Sequence, residues 1–325
     1  MATTRLTDVI VPEEFTQYQV QNTLEKTALV ESGVLVRNDL ISAQLQAGAD
    51  SFTVPYWGDL GDDEADITND DPDDHSTPSK LGSGSMRVRK SFLHKSWSSM
   101  NLAAEMSGSD PMARIQSRVN AYWNRQLQAR LVATLSGVLA DSDANHGGDL
   151  VFEAGGQFSA DGVIRAAATL GDSMNDVSGI AMSSSTYALA LRQDLIEFER
   201  DSQGSLLLPT FRGLAVIMDD SMPYDAETGE YITVIFGSGA VGYGISAPRI
   251  AEGTAVEVIE SAGNGAGQQI LHSRVNTAMH PAGYSFADVN VAGESPTIAE
   301  LADPSNWTRK AERKAIKLAF MRHTL

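Results

Sequence analysis

The chain has no cysteine among its 325 residues. A disulfide framework and a thiolate zinc site are therefore excluded. It is also short of positive charge: 24 Lys and Arg stand against 42 Asp and Glu, for a net charge of −18 and an isoelectric point near 4.6. Affinity for DNA comes largely from Lys and Arg neutralising phosphates, so a dedicated DNA reader does not fit this balance. An acidic protein can still sit beside DNA if its task is to avoid sticking to it. No apolar run approaches the roughly 20 residues of a membrane helix. The stretch "ATTRLTD" after Met1 carries no apolar signal segment. Hydrophobic content is 42%, in the globular range, and the length predicts two domains or one domain with long excursions.

Catalytic signatures are missing too. The six histidines, His75, His94, His146, His272, His280 and His323, include no pair at H-x-x-x-H or H-E-x-x-H spacing. There is no G-x-S-x-G elbow and no thiol nucleophile. Carboxylates abound, but abundance alone does not single out an acid/base pair. "FGSGAVG" at 236–242 matches G-x-G-x-x-G after an apolar strand. A dinucleotide site needs a helix to open there and hold the pyrophosphate. The following "YGISAPRI" alternates instead, which predicts a Gly-rich turn between two strands. No catalytic, cofactor or metal residues are expected, and no cofactor.

What the chain does have is an acidic run. "WGDLGDDEADITNDDPDDHSTPSK" at 57–80 holds nine acids, including Asp62, Asp63, Glu64, Asp66, Asp70, Asp71, Asp73 and Asp74, and a single base, Lys80. Such a run repels itself. It lacks the Gly and Glu spacing of a calcium loop. It is bracketed by "SFTVPYW", with Phe52, Val54 and Tyr56 on one strand face, and by "MRVRKSFLHKSW", with Met86, Val88 and Phe92 at period two. Pro55 removes a backbone donor and predicts an edge strand. Residues 51–97 thus predict a long hairpin, with limbs of some 20 residues reaching on the order of 65 Å. Arg87, Arg89, Lys90 and Lys95 make the returning limb basic.

The clearest helix follows. Ser109 or Asp110 caps it, and Pro111 suits its first turn. Met112, Ile115, Val119, Tyr122, Trp123, Leu127, Leu131, Leu135 and Leu139 recur every three to four residues, and Arg114, Arg118, Arg125 and Arg130 form its charged face. Pro12 opens a weaker helical stretch, "EEFTQYQVQNTLEKT". Beyond residue 160, "SADGVIRAAATLGD" and "SSSTYALALRQDLIEFER" predict helices. "GLAVIMDD", "YITVIFG", "AVEVIE" and "QILHSRVNTAMH" predict strands, as does "ERKAIKLAFMRH", where Ile316, Leu318 and Phe320 alternate. The mixture is α+β.

Six stretches, in order, resemble the major capsid proteins of tailed bacteriophages: "NTLEKTALVESGVL", "GADSFTVPYWGDL", "GLAVIMDDSMP", "YITVIFGSGAVGYG", "AMHPAGYSF" and "SPTIAELADPSNW" with the closing "AIKLAFM". The resemblance implies an N-terminal arm over 1–49 and an extended loop, the E-loop, over 50–98. It implies a peripheral domain over 99–157 with a spine helix at about 110–140, and an axial domain over 158–265. Residues 266–325 would return to the peripheral domain, with the C-terminal strand in its sheet.

The implied function is structural: hexamers and pentamers of an icosahedral head around packaged double-stranded DNA. A protein shell around enzyme cargo shares that fold and is the nearest alternative; a nucleotide-binding oxidoreductase is a remoter one. Implied partners are other copies of the chain, a separate scaffolding protein, a portal, a decoration protein, and DNA bound without sequence preference; no membrane is implied. The implied setting is the virion capsid, assembled in the bacterial cytoplasm. No Lys–Asn cross-link is expected at Lys80, Lys90 or Lys95. The acidic run is expected to grip a neighbouring subunit through Arg87, Arg89 and Lys90 or through Arg114, Arg118 and Arg125, the alternative being a solvated outer surface. Glutamate at Arg87, Arg89 and Lys90 is expected to block assembly and leave the subunit folded.

Overall fold

The computed structural model describes residues 34–58, 60, 64–68, 70, 71, 73, 75, 76, 78–200, 206–225 and 228–325. The helix expected after Pro12 lies outside the described residues, as do Asp62, Asp63 and Asp74. The chain opens with β1 (Leu35–Arg37), α1 (Asp39–Leu45), β2 (Ser51–Trp57), β3 (Ser83–Arg89), β4 (Ser91–Met100) and α2 (Asn101–Ser107). The long helix α3 (Pro111–Asn145) follows. Then come β5 (Val151–Gln157), α4 (Ala160–Ala168), β6 (Val177–Met182), α5 (Ser184–Arg192), β7 (Glu197–Arg200), β8 (Leu206–Phe211), β9 (Leu214–Met218), β10 (Tyr224–Asp225) and β11 (Glu230–Gly237). The last elements are β12 (Val241–Ser246), β13 (Thr254–Ile259), β14 (Gln268–Pro281), β15 (Tyr284–Phe286), α6 (Ile298–Ala302), β16 (Trp307–Arg309) and β17 (Leu318–Thr324).

Two sheets organise these elements. A five-stranded sheet runs β1-β12-β14-β13, with β4 along the other side of β14. An eight-stranded sheet runs β5-β17-β11-β6-β9-β8-β7, with β10 on β11. Helix α3 spans both. Asp110 caps it by accepting from the Met112 and Ala113 amides, and at 35 residues it is a rod of about 52 Å. Its first half packs Met112, Val119 and Trp123 on Leu271 of the five-stranded sheet. Its second half packs Leu131, Leu135 and Val138 on Val234, Phe236, Leu318 and Phe320 of the eight-stranded sheet. The periodic apolar stripe therefore serves two cores in succession.

Strand β17 closes the chain in the eight-stranded sheet. It lies between β11, antiparallel, and β5, parallel, in the eight-stranded sheet. The reason is in its side chains. Leu318 and Phe320 face the α3 core, whereas Ala319 and Met321 face a second core with Phe158, Val163 and Ile235. A strand apolar on both faces belongs in the middle of a covered sheet. Burying each large apolar side chain contributes about 1.5–3 kcal/mol.

Several local readings are revised. The segment "SSSTYALALRQDLIEFER" is helical only through Arg192; Asp194 takes a left-handed φ of 56°, and Glu197–Arg200 becomes edge strand β7. "FGSGAVG" is a turn that carries the chain from β11 in one sheet to β12 in the other, with Gly239 at φ 74°. A strand follows, so no helix N-terminus faces that turn. The quoted motifs have structural duties. In "DDSMP", the Asp219 carboxylate accepts from the Ser221 amide (2.9 Å) and hydroxyl (2.6 Å) and from Gln128 of α3, which pins the end of β9 to the long helix. In "SPTIAEL", Thr297 and Glu300 form a reciprocal capping box that starts α6.

Candidate assembly interface

The hairpin is built as β2 against β3, antiparallel, from Ser51↔Arg89 to Trp57↔Ser83. Lys90 N donates to Asp50 O (2.9 Å) and Gly58 N to Gly82 O (2.8 Å), so even-numbered residues of β2 occupy the hydrogen-bonded pairs. Pro55 falls between them, where its missing N–H costs no ladder bond. The paired limbs are seven residues each, about 23 Å, and not the twenty expected. The returning chain leaves the hairpin at Lys90 and enters the five-stranded sheet as β4. This change of partner breaks the expected face: Val88 is buried beneath α1, whereas Phe92 is 43% exposed.

The root of the hairpin is fixed within the subunit. Lys90 has no solvent exposure; its Nζ donates to the carbonyls of Ala47 (2.9 Å) and Gly48 (3.3 Å) and lies 5.9 Å from the centre of the Phe52 ring. Loss of hydration pulls its pKa below the usual lysine value, while Asp50 works the other way. Arg89 is buried, pairs with the Asp50 carboxylate and with Asp288 (3.1 Å), and donates to the Glu294 carbonyl (3.1 Å). At Asp50, burial raises the carboxyl pKa, but hydrogen bonds from Ser51 and Arg89 outweigh it and the net shift is downward. Arg87 is half-exposed and pairs with Asp288 (2.7 Å). Of the three basic residues expected to serve a neighbour, Arg89 and Lys90 are thus committed inside their own subunit, because their donors satisfy buried carbonyls and carboxylates there.

On α3, Arg114, Arg118 and Arg125 are half-exposed. Arg130, expected on the same face, is buried and donates to the Ser91 hydroxyl (3.2 Å) and Pro296 carbonyl (3.0 Å), tying the helix to the start of β4. Beyond the ladder, the acidic residues Glu64, Asp66, Asp70, Asp71 and Asp73 are exposed, and so are apolar neighbours: Trp57 (74%), Leu60 (72%) and Ile67 (88%). Sequence reasoning missed Asp50 and Asp288 as partners of the root, and Ser285, whose hydroxyl accepts from the Arg87 amide (2.9 Å). The turn residues around them, "AGADS" and "SFADVN", carry no periodicity to mark them.

A small cavity of about 10 Å³ lies behind the root, lined by Arg89, Arg130 and His280 among others. His280 is 9% exposed, neither ring nitrogen has a partner, and burial pushes its pKa down to about 4. In the folded state the ring stays neutral down to that pH, whereas an unfolded chain takes up the proton below about 6.5. Stability from this group is therefore complete above pH 6.5 and lost as pH falls through 4, by about 3 kcal/mol. Urea unfolding at pH 7 and pH 4.5 is expected to show a smaller acid loss in His280→Gln than in the unaltered chain; equal losses would assign the acid sensitivity elsewhere.

An extended hairpin thus stands on a two-sheet body threaded by one long helix. The fold matches the capsid of a native GTA particle over 97% of this chain and 96% of that one, at TM-score 0.55 and 13% identity. It matches the capsid of Myoviridae phage XM1 over 96% of both chains, at TM-score 0.55 and 13% identity. The fold is that of tailed-phage capsid proteins. Over its whole length the chain is also 38% identical to the major capsid protein of Bacillus phage SPP1, covering 99% of that protein. Residues 75–317 match the model of the Gp13-like family, major capsid protein 13-like. The chain belongs to this family and is a phage major capsid protein. That membership favours a virion head over a cargo shell, and a structural role over nucleotide chemistry.

Proposed function

We propose that copies of this chain close into the hexamers and pentamers of an icosahedral head around double-stranded DNA, each copy holding the next through its hairpin. The observation that carries the reading is the exposed tip: Trp57 and Ile67 are 74% and 88% exposed with no seat on their own subunit. Ordering such a segment costs conformational entropy that contacts with a neighbour must offset. The acidic residues of the tip, Asp62, Asp63, Glu64, Asp66, Asp70, Asp71, Asp73 and Asp74, meet basic groups of the adjoining copy, for which half-exposed Arg87, Arg114, Arg118 and Arg125 are suited. Each surface pair is worth about 0–1 kcal/mol, so the grip comes from repetition around the shell.

In this reading residues 1–49 are the arm and 50–98 the E-loop. Residues 99–157 with 266–325 form the peripheral domain and 158–265 the axial domain, although β12, β13 and β17 exchange sheets across those limits. A net charge of −18 lets packaged DNA slide without adhering. Scaffolding, portal and decoration proteins complete the partners, and assembly takes place in the bacterial cytoplasm. No catalytic step is assigned to the chain. Electron microscopy of particles purified from an infected or expressing cell is expected to show closed shells, with DNA and a portal at one vertex in the virion. Folded monomers that never close under any condition would overturn the reading.

A further inference from the structure

We infer that one monatomic anion, of the size of chloride, is held between Arg89, Arg130 and His280 in the small cavity behind the hairpin root. The cavity measures about 10 Å³, room for one particle of water or halide size and too small for phosphate, sulfate or a carboxylate. Arg89 reaches it from the end of β3, Arg130 from the middle of α3 and His280 from the end of β14. Val88, Phe286 and Trp307 supply apolar wall, and no acidic side chain lines it.

The lining has more hydrogen-bond donors than the protein uses. Arg89, Arg130 and His280 are 8%, 7% and 9% exposed. Yet the Nε of each arginine and both ring nitrogens of His280 have no hydrogen-bond partner among the described residues. Buried polar atoms rarely go unmet, and four orphans on one cavity of this size point to an occupant that accepts hydrogen bonds. An arginine Nε–H can only donate. The occupant therefore takes two bonds from the arginines and a third from whichever His280 nitrogen carries the proton.

Charge decides between water and a halide. The carboxylates at the root are already engaged: Asp50 pairs with Arg89, and Asp288 with both Arg87 and Arg89. Arg130 has no carboxylate partner among the described residues. Its guanidinium donates to the Ser91 hydroxyl (3.2 Å) and the Pro296 carbonyl (3.0 Å), both neutral. Burial lowers its pKa, and no acid opposes that shift. Buried charges are normally paired. A water molecule accepts the same bonds but leaves the Arg130 charge unbalanced, whereas a halide supplies the missing counter-charge. Charge-assisted bonds from two guanidinium groups strengthen the hold. The bound ion joins the hairpin root, the long helix and the five-stranded sheet. It also favours the protonated His280 ring against the burial that pushes its pKa to about 4, so the acid loss at His280 is largest without chloride.

The test is a halide titration of the full-length subunit at neutral pH, from chloride-free gluconate into chloride at constant ionic strength. Gluconate is too large for the cavity. The melting midpoint is expected to rise by about 2–5 °C as chloride reaches about 0.5 M. Bromide is expected to act alike, and crystals of the subunit grown in bromide to show one anomalous peak within hydrogen-bonding reach of both Nε atoms. Arg130→Met keeps the apolar stem and removes the unpaired charge, and its midpoint is expected to be the same in chloride and in gluconate. Arg114→Met, on the half-exposed face of the same helix, is expected to keep the full shift. Should Arg130→Met fail to fold, the titration and the bromide peak of the unaltered chain decide. Equal midpoints in chloride and gluconate for the unaltered chain would overturn the inference and leave the cavity to a water molecule. So would a chloride shift that Arg130→Met retains, or a bromide peak without a midpoint shift, which is binding at crystal concentration only.

Discussion

Glutamate at Lys90 is expected to unfold the hairpin root and to yield an insoluble or strongly destabilised subunit. The Nζ of Lys90 satisfies two backbone carbonyls at 2.9 and 3.3 Å with no solvent access. A carboxylate in that place would face the same carbonyl oxygens and the Asp50 carboxylate. Breaking a buried, hydrogen-bonded charge site in this way costs about 3–5 kcal/mol, out of a total stability of about 5–15. Arg89→Glu adds to the loss by leaving Asp50 and Asp288 facing a third carboxylate. The combined change at Arg87, Arg89 and Lys90 therefore fails at folding, before assembly is reached. Lys90→Met keeps the apolar stem and removes the donor, for a smaller loss of about 1–3 kcal/mol. Arg87→Glu alone leaves a folded protein, because the Arg87 side chain is 39% exposed. Thermal melting of the isolated subunit checks the series. A Lys90→Glu subunit that melts with the unaltered chain would show that Lys90 does not hold the root.

Alanine at Gly137 is expected to destabilise the subunit by about 3 kcal/mol, against its own helix propensity. Glycine inside a helix ordinarily costs about 1 kcal/mol relative to alanine, so propensity alone predicts a gain. The packing predicts the opposite sign. A Cβ at Gly137 would lie 2.3 Å from the Leu301 carbonyl oxygen and 2.4 Å from the Trp307 indole nitrogen. Those two atoms form a hydrogen bond of 2.8 Å that crosses the helix at this point. Trp307 is 3% exposed and sits edge-on to Phe286 at 5.1 Å. A methyl group here separates α6 and β16 from α3 and leaves a buried indole N–H without its acceptor. Valine is expected to cost more than alanine. Urea unfolding decides the matter: a Gly137→Ala subunit at least as stable as the unaltered chain would mean that the C-terminal segment does not rest on this glycine.

These two residues also mark what the sequence made legible. The apolar stripe of α3, its Asp110 cap and the strands at 214–218, 230–237, 254–259 and 268–281 follow from local periodicity, and all of them form. Periodicity does not say which strand lies beside which. The alternation in "AIKLAFM" reads as a strand with one inner face, yet Ala319 and Met321 are buried too, because helix α4 closes the second face. Lys90 reads as one more charge on a basic limb. Its burial depends on carbonyls at 47 and 48, and that of Arg89 on Asp288, some 200 residues away. The hairpin was legible as a hairpin from Pro55 and the strand alternation on both sides of the acidic run. The length of its paired part was not, since the sequence does not show where the returning limb exchanges β2 for β14. The resemblance, in contrast, rests on residues with visible duties, such as Asp219 at the end of β9 and Trp307 on the helix.

The central claim is that this capsid protein builds its shell by passing a hairpin from one copy to the next. Electron cryomicroscopy of the closed particle, at a resolution that traces side chains, tests it most directly. The account predicts density for residues 57–82 lying across the adjoining copy, with Trp57 and Ile67 covered and the acids beside half-exposed basic groups of that copy such as Arg114, Arg118 and Arg125. A shell in which every hairpin tip projects into solvent, or folds back on its own subunit, would contradict it.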